Sequence, residues 1–326
     1  MDDGVKQGRA SKVLALSGGV GGAKLASGLY AALPPDRLGV LVNTGDDFTH
    51  LGLSISPDLD TVMYTLAGVV NPDTGWGRAG ETWSFMEAGA ALGLETWFRL
   101  GDKDLAVHVE RTRRLRAGES LDAITDDLCR RFGIAATVMP MSDDPVATVV
   151  DSDEGPLAFQ DYFVRRRCEP RVRGFRFEGV EEALPNATAL DWFDDPELAA
   201  IVIGPSNPFV SIAPILAVPG LRAALERRRV PLVAVSPIVG GQAIKGPAAK
   251  MMDELGIRPS AAWVAEQYGE LLDGIVIDEL DRSLADRIRG PRVLVTQTVM
   301  RTADDRARLA REVLAFARDL ETECGQ

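Results

Sequence analysis

The sequence has few of the residues that form disulfides in small proteins or bind zinc. Its 326 residues include three cysteines, Cys129, Cys168 and Cys324, and two histidines. Three scattered cysteines exclude a disulfide framework, and two histidines leave no zinc-ligand spacing. We therefore expect a protein of the reducing cytoplasm.

Long apolar stretches are also missing. The first apolar run, Val13–Leu16, has four residues, whereas a membrane-spanning helix needs about 20. A secretory leader needs a basic start and roughly 7 to 15 apolar residues, and residues 1–11 are polar with acids near the front. The sequence therefore predicts neither a membrane partner nor a secretory leader.

Positive charge is scarce relative to negative charge. Forty-eight Asp and Glu oppose 36 Lys and Arg, which gives a formal net charge of −12. An acidic surface repels a phosphate backbone at long range, so we expect no nucleic-acid partner. Hydrophobic residues make up 46% and charged residues 26% of the chain. These values are close to those of globular proteins, so disorder is excluded.

Short aliphatic runs that end in Gly, Ser or Asn and lead into helix-compatible segments dominate the pattern. Runs that are apolar on both faces suit parallel strands covered by helices. Six are found, at Lys12–Leu16, Gly39–Val42, Ala200–Ile203, Leu232–Val235, Gly274–Ile277 and Val293–Thr296. We expect an α/β fold with a doubly wound, mostly parallel sheet and a Rossmann-like core. Thr302 should cap a last helix that packs on this sheet.

The middle of the chain has a different pattern. Helical stretches around 81–92 and 121–131 precede four strand-like pieces with no helix between them, at 136–139, 147–150, 157–160 and 173–177. This order predicts a smaller inserted α+β subdomain. The expected division is a core at 1–74 and 187–326 and an inserted substrate-binding subdomain at 75–186, which together form a single unit.

A glycine-rich turn follows the first predicted strand and opens a helix. Gly18, Gly19 and Gly21 let the backbone approach an anion, and the N–H groups at a helix start favour phosphate. The turn is not the dinucleotide fingerprint, because Lys24 stands where a third glycine is needed. We interpret it as a phosphate cradle; a tight turn without a ligand is the alternative.

Carboxylates follow the next predicted strand. Asn43 ends that strand and precedes Asp46 and Asp47, and Asp60 lies in the segment that follows. Magnesium binds one or two carboxylates together with phosphate oxygens. Asp46, Asp47 and Asp60 therefore predict a magnesium site beside the cradle, with solvated loop acids as the alternative. Asp58 is interpreted as a helix cap, so its replacement by Asn should be nearly neutral.

Three further segments offer polar groups to a ligand. Lys103 and His108 fall on one face of a predicted helix, although His108 taken alone fits a structural role better. Ser206 and Asn207 lie in a proline-stiffened loop after a strand, and Gly240 lies in a second glycine-rich strand exit. Such loops suit ribose, base or phosphate recognition, but they also fit simple turns.

In this order, the segments resemble the CofD family, the phospholactyl transferases of deazaflavin coenzyme F-420 biosynthesis. The resemblance covers nearly the whole chain, at 17–24, 43–48, 56–64, 101–112, 140–148, 159–164, 204–216 and 236–250. It implies transfer of a phospholactate, phosphoenolpyruvate or phosphoglycerate group from a guanosine diphosphate-linked donor to the deazaflavin Fo, with release of GMP. It also implies a Rossmann-like core that binds nucleotide and deazaflavin.

The resemblance also implies roles for single residues. Asp60 and Lys103 match positions that contact Fo, and Asp46, Asp47 and Asp60 form the magnesium neighbourhood. Asp60 and Asp47 are the expected catalytic residues, with Asp60 orienting the attacking hydroxyl. The expected substrate-binding residues are Gly18, Gly19, Gly21, Asn43, Asp60, Lys103, His108, Ser206, Asn207 and Gly240. The implied partners are the two small-molecule substrates, and a homodimer is the default assembly.

Other functions fit part of the pattern. A nicotinamide-dependent oxidoreductase is the generic interpretation of a glycine-rich first turn, but the missing third glycine and Asn43 oppose it. A non-enzymatic regulator that binds a nucleotide sugar is the closer rival, because a family related to CofD uses the same core. Segments 101–112 and 141–148 favour the transferase. A purely structural module would not explain several polar or glycine-rich loops at one sheet edge.

Overall fold

A computed structural model describes residues 11–324 of the chain. Residues 1–10, most of the polar segment that argues against a secretory leader, lie outside the described residues. Within that range, strands β1–β14 cover Lys12–Ser17, Leu38–Val42, Phe48–His50, Leu53–Ile55, Thr137–Pro140, Ala147–Ser152, Gly155–Ala158, Val172–Glu178, Leu198–Ile203, Leu232–Val235, Ile238–Val239, Gln242–Ala243, Gly274–Asp278 and Arg292–Thr296. Helices α1–α11 cover Gly19–Ala32, Pro57–Leu66, Ser84–Ala91, Asp102–Arg116, Leu121–Arg131, Ala187–Phe193, Ala213–Ala217, Leu221–Arg227, Ala248–Glu254, Ala261–Tyr268 and Ala303–Cys324.

Seven parallel strands form the main sheet, in the order β14-β13-β10-β9-β1-β2-β5. Six of them are the six runs that the sequence predicts, so the doubly wound α/β fold is confirmed. The chain leaves β1 toward β2 on one side and later returns through β9 on the other. The carboxyl ends of β1 and β9 therefore bound the crevice where ligands of open α/β sheets bind.

Helices cover both faces of this sheet with separate apolar cores. On one face α1 and α11 pack so closely that a Cβ added to Gly28 would lie 2.2 Å from the carbonyl oxygen of Arg306. The opposite face is buried mainly by α8 and α10. Thr302 Oγ1 accepts a hydrogen bond from the Asp305 N–H at 3.1 Å, and Val313 of α11 is fully buried. The predicted cap and packing of the last helix are therefore confirmed.

The middle segment adds a second, smaller sheet. Strands β7, β6 and β8 pair antiparallel in that order, and β3 pairs with β4 as a hairpin. The run at 136–139 is different from the prediction, because as β5 it pairs in parallel with β2 at the edge of the main sheet. Val138 and Met139 are both buried, which suits a strand covered on two faces. The domain division at 75 and 186 stays a prediction.

Across the described range, no single helix is both long and apolar enough to span a membrane. Two consecutive helical segments, Pro208–Ala217 and Leu221–Arg227, are long and apolar enough only when counted together, and the chain bends by 84° between them.

Candidate active site

The glycine turn between β1 and α1 is packed against the exit of β9. Gly19 has a φ of +62°, the left-handed region that favours glycine. Ser206 Oγ accepts a hydrogen bond from the Gly18 N–H at 3.1 Å and donates one to the Gly18 carbonyl at 2.8 Å. A Cβ on Gly21 would lie 2.2 Å from the carbonyl oxygen of Pro205. Packing thus accounts for the glycine at position 21, and phosphate binding by the turn stays a prediction.

The carboxylate at the start of α1 belongs to Asp58. Its Oδ1 accepts a hydrogen bond from the Gly19 N–H at 2.7 Å, and its Oδ2 accepts one from Asn43 Nδ2 at 3.0 Å. A negative group here is favoured by the unpaired N–H groups and the dipole of α1. The prediction that Asp58 merely caps its own helix is therefore wrong, because its side chain joins α2 to α1 and to the exit of β2.

Asp46 shares the same amide donor. Asn43 Nδ2 donates to Asp46 Oδ1 at 3.2 Å, and Gln160 Nε2 donates to Asp46 Oδ2 at 3.2 Å. Burial, reinforced by the charges of Asp58 and Asp47, raises the pKa of Asp46 well above its ordinary value. Burial also raises the pKa of Asp58 to about 6, although the bonds from Asn43 and Gly19 oppose the shift.

The carboxylates of Asp46 and Asp58 lack a compensating positive charge among the described residues. Two buried carboxylates face each other across one amide, and the described residues place no ammonium or guanidinium in contact with either. Like charges at this proximity are costly unless a cation compensates them. A cation between the exit of β2 and the start of α1 stays a prediction.

Asp47 offers a further oxygen beside this pair. Its Oδ2 accepts a hydrogen bond from Ser56 Oγ at 2.6 Å. Its Oδ1 is buried and has no hydrogen-bond partner among the described residues. Burial raises the pKa of Asp47 well above its ordinary value. An unpartnered buried acceptor of this kind fits a ligand or a cation rather than a structural role.

Asp60 is held by Arg111 through both of its carboxylate oxygens. Arg111 Nη1 donates to Asp60 Oδ2 at 3.1 Å, Nη2 donates to Oδ1, and the arginine side chain is fully buried. Both carboxylate oxygens are thus engaged by a guanidinium, which repels a second cation. This pairing opposes the predicted role of Asp60 as a magnesium ligand, whereas its contact with Fo and its role in orienting the acceptor hydroxyl stay predictions.

His108 belongs to the same internal network. Its Nδ1 lies 3.7 Å from Asp60 Oδ2 and its Nε2 lies 3.3 Å from Asp104 Oδ2, while Tyr64 Oη donates to Asp104 Oδ1 at 2.6 Å. Asp60, Asp104 and His108 each bring a ligand atom within 4.8 Å of the others, but the charge of Arg111 already compensates them. His108 is 1% exposed. This burial and these contacts fit the structural role that the sequence favours for His108 taken alone, and its contact with substrate stays a prediction.

Lys103 lies at the start of α4 and is exposed. Its Nζ donates to the carbonyl oxygens of Gly80 at 2.7 Å and Ala79 at 3.3 Å. The Glu81 carboxylate in turn accepts the N–H groups of Lys103 and Asp104 in the first turn of α4. Lys103 thus fastens the loop before α3 to α4, and its contact with Fo stays a prediction.

The remaining predicted residues lie at neighbouring strand exits. Ser206 is buried against the glycine turn, as described above. Asn207 Oδ1 accepts a hydrogen bond from the Phe209 N–H at 2.9 Å and so begins the next helical turn. Gly240 is exposed, and its N–H donates to Asp281 Oδ2 at 2.9 Å. Neither Asn207 nor Gly240 has a hydrogen bond to the carboxylate cluster, and their substrate contacts stay predictions.

One residue of this region, Gln160, is missing from the residues predicted from the sequence. Gln160 bonds Asp46, and Ser211 lies against the turn, with its Cβ 2.6 Å from the position of a Cβ on Gly18. Gln160 falls in the segment 159–164 that resembles the CofD family, but it lies 114 positions from Asp46 and no local pattern gives it a role. Ser211 does lie in the polar loop after β9 that the sequence marks as a ligand site.

The chain is similar to known proteins over nearly its whole length. The family model for 2-phospho-L-lactate transferase CofD matches residues 13–314. A phosphoenolpyruvate transferase of Streptomyces coelicolor is 41% identical over 95% of this chain and 99% of its own length. A 2-phospho-L-lactate transferase of Methanosarcina mazei is 44% identical over 83% of this chain and 88% of its own. One from Methanopyrus kandleri is 42% identical, covering 95% and 98%.

A solved structure shows the same fold at much lower identity. A protein of the UPF0052 family from Bacillus halodurans aligns with a TM-score of 0.60 over 94% of this chain and 99% of its own, with 14% identity. That likeness concerns the fold alone. The family model spans nearly the whole chain, and the relatives above exceed 40% identity over most of it. This chain belongs to the CofD family of transferases.

Proposed function

We propose that the protein transfers a phosphorylated three-carbon acid from a guanosine diphosphate-linked donor to the deazaflavin Fo, releasing GMP, in coenzyme F-420 biosynthesis. The names of its relatives, phosphoenolpyruvate transferase and 2-phospho-L-lactate transferase, support this class of reaction. The observation that carries the proposal is the buried carboxylate pair Asp46 and Asp58 at the start of α1. That pair suits a divalent cation that neutralises a diphosphate.

We assign the cation site to Asp46, Asp47 and Asp58, with Asp58 in the place first predicted for Asp60. The fit rests on hard oxygen donors, on raised pKa values and on the unpartnered Oδ1 of Asp47. Magnesium prefers such oxygens and keeps phosphate oxygens among its ligands. When bound, it would supply charge neutralisation of the diphosphate.

The reaction itself is a displacement at phosphorus. The terminal ribityl hydroxyl oxygen of Fo forms a bond to the phosphorus that bears the acid, and the bond from that phosphorus to the bridging oxygen breaks. The electron pair of the broken bond stays on the bridging oxygen, which leaves as part of GMP, and the hydroxyl proton passes to water. Such a leaving group needs charge stabilisation more than protonation. The backbone N–H groups in the first turn of α1 after Gly19, whose own N–H bonds Asp58, are suited to that task.

A direct assay tests this proposal. Purified protein, Fo and a mixture of the three candidate donors should form a product whose mass identifies the transferred acid. Excess chelator should abolish turnover, and added magnesium should restore it. Absence of product with every donor would contradict the transferase, whereas full turnover in chelator would contradict only the cation.

A further inference from the structure

A chain of buried polar side chains lies between α2 and α4. It starts at Asp60, whose partner Arg111 also brings its Nη1 within 3.4 Å of His108 Nδ1. His108 Nε2 lies 3.3 Å from Asp104 Oδ2, and Asp104 Oδ1 accepts a hydrogen bond from Tyr64 Oη at 2.6 Å. Of the five residues, Asp104 alone is partly exposed. The chain therefore runs from α2 through α4 and back to α2, and it meets water only near Asp104.

The spacing of these residues places them on facing sides of the two helices. Asp60 and Tyr64 are four residues apart on α2, and Asp104, His108 and Arg111 are four and three residues apart on α4. Residues at these spacings lie on the same face of a helix. Replacing a buried polar network by apolar side chains is often neutral or stabilising. Holding α2 against α4 therefore does not require these polar groups, and they indicate a further task.

The donors and acceptors of the chain define one arrangement of protons. A guanidinium only donates hydrogen bonds, so His108 Nδ1, which faces Arg111, is an acceptor. The imidazole proton then lies on Nε2, on the side of Asp104. Burial alone would raise the pKa of Asp104, but the contacts with His108 and Tyr64 lower it, so this carboxylate is charged at neutral pH. A neutral His108 thus restricts the direction of Arg111 without adding charge beside it.

The chain joins the two elements that carry the predicted acceptor contacts. One end is Asp60 on α2, whose two carboxylate oxygens are engaged by Arg111. The other end includes Asp104, which directly follows Lys103 in the first turn of α4. Asp60 and Lys103 are the residues that the resemblance to the CofD family places against Fo. The contacts between α2 and α4 therefore set how these two side chains lie relative to each other.

We propose that Tyr64, Asp104 and His108 are positioning residues for the acceptor, and that they act through Arg111 on the carboxylate of Asp60. This inference rests on the proposed function and extends it to residues that need touch no substrate. An arginine side chain has high rotamer freedom, so a contact from His108 limits the directions that Arg111 can take. Fo then meets a preorganised carboxylate, and less free energy is lost on ordering the site.

Fluorescence titration with Fo tests the chain without the transfer reaction. Tyr64→Phe removes the hydroxyl that bonds Asp104 and keeps the buried ring, and His108→Leu removes both imidazole nitrogens. Each should weaken Fo binding about tenfold, the effect of one lost hydrogen bond to a charged group. His108→Gln should stay within about twofold of the wild type, because its amide keeps an acceptor and a donor. Tyr268→Phe is the matched control, since it alters a buried tyrosine on α10.

Two further measurements separate positioning from a merely structural role. Affinity for GMP should be unchanged in every variant, whereas a general loss of structure would weaken the binding of GMP and Fo alike. Nitrogen NMR of isotope-labelled histidine should show His108 protonated at Nε2 and unprotonated at Nδ1. The chain has two histidines, so the His108 signals can be assigned from their absence in His108→Gln.

The possible results distinguish this inference from the proposed function. Wild-type Fo affinity in Tyr64→Phe and His108→Leu would overturn the positioning role, and so would a proton on His108 Nδ1. Equal losses for Fo and GMP, or no rescue by His108→Gln, would overturn it as well, because packing alone would then explain the effect. Chain-dependent Fo binding without any transfer would refute the transferase and leave the positioning role standing. Wild-type protein that does not bind Fo would refute the deazaflavin acceptor and this inference with it.

Discussion

At the scale of single residues, two positions on α2 separate Asp58 from Asp60. Residues two positions apart lie about 200° apart around the helix axis, so their side chains leave α2 on opposite faces. Asp58 reaches Gly19 and Asn43, whereas Asp60 reaches Arg111. The acids after β2 could be predicted to cluster, because strand ends meet at one sheet edge. Which acid of α2 joins them depends on Arg111, 51 positions away, and no local pattern shows that pairing.

This separation predicts opposite effects of two matched substitutions. Asp58→Asn removes a charge from the proposed cation site, so turnover should fall about a hundredfold or more with little loss of stability. Asp60→Asn leaves the buried guanidinium of Arg111 without its counterion, so the free energy of unfolding should fall by about 3 kcal/mol or more. Product formation and denaturant unfolding measure the two effects. Wild-type stability in Asp60→Asn would contradict the structural role.

The pKa of Asp58 predicts a pH dependence of stability without metal. The pKa rises from 3.8 to about 6 on folding, so the folded state binds this proton more tightly than the unfolded state. The resulting stability is complete below the unfolded value and is lost as the pH rises through about 6. In chelator, the wild type should therefore lose more free energy of unfolding between about pH 4 and about pH 7 than Asp58→Asn does. Parallel pH profiles for the two proteins would refute the shift.

At the scale of elements, the apolar runs predicted which segments form strands, but not which neighbour each strand pairs with. Six strands of the main sheet follow from runs that are apolar on both faces, but the same property did not tell β5 which sheet to join. The sequence places Lys103 and His108 on one polar face of α4. In the structure Lys103 is exposed, whereas His108 and Arg111 are buried, because Arg111 pairs with Asp60 there. Periodicity records where polar residues lie on a helix; it does not record whether another element brings the opposite charge.

The packing of α1 against the β9 exit predicts a contrast between two glycines. A Cβ on Gly21 would meet the Pro205 carbonyl at 2.2 Å, whereas one on Gly19 would meet nothing within 4 Å. Gly21→Ala should therefore destabilise the protein by about 3 kcal/mol through overpacking. Gly19→Ala should cost about 1 kcal/mol, because only its positive φ is strained. Thermal melting compares them, and equal losses would show that the turn adapts.

At the scale of the whole molecule, the sheet separates two groups of polar residues. The carboxylates of Asp46 and Asp58 lie beside the exit of β2. A pocket lined by Lys24 and Lys245 lies beside the exits of β9 and β10. The sheet order could be expected from the fold class, since the crevice forms where the chain direction reverses. The sequence indicates that the two glycine-rich strand exits line one crevice, but not that Lys24 and Lys245 share a pocket, because its walls come from four segments that are far apart in sequence. The homodimer stays a prediction.

One loop connects the two sides. Lys245 Nζ donates to the Thr74 carbonyl at 2.8 Å, and Lys103 Nζ donates to the Gly80 carbonyl at 2.7 Å. A ligand that draws one ammonium group away from this loop changes the conformations open to the segment that the other lysine holds. If the proposed nucleotide and Fo each draw on one of these lysines, the two binding reactions are thermodynamically coupled through this loop, and the coupling is reciprocal. The factor by which GMP changes the affinity for Fo must equal the factor by which Fo changes the affinity for GMP.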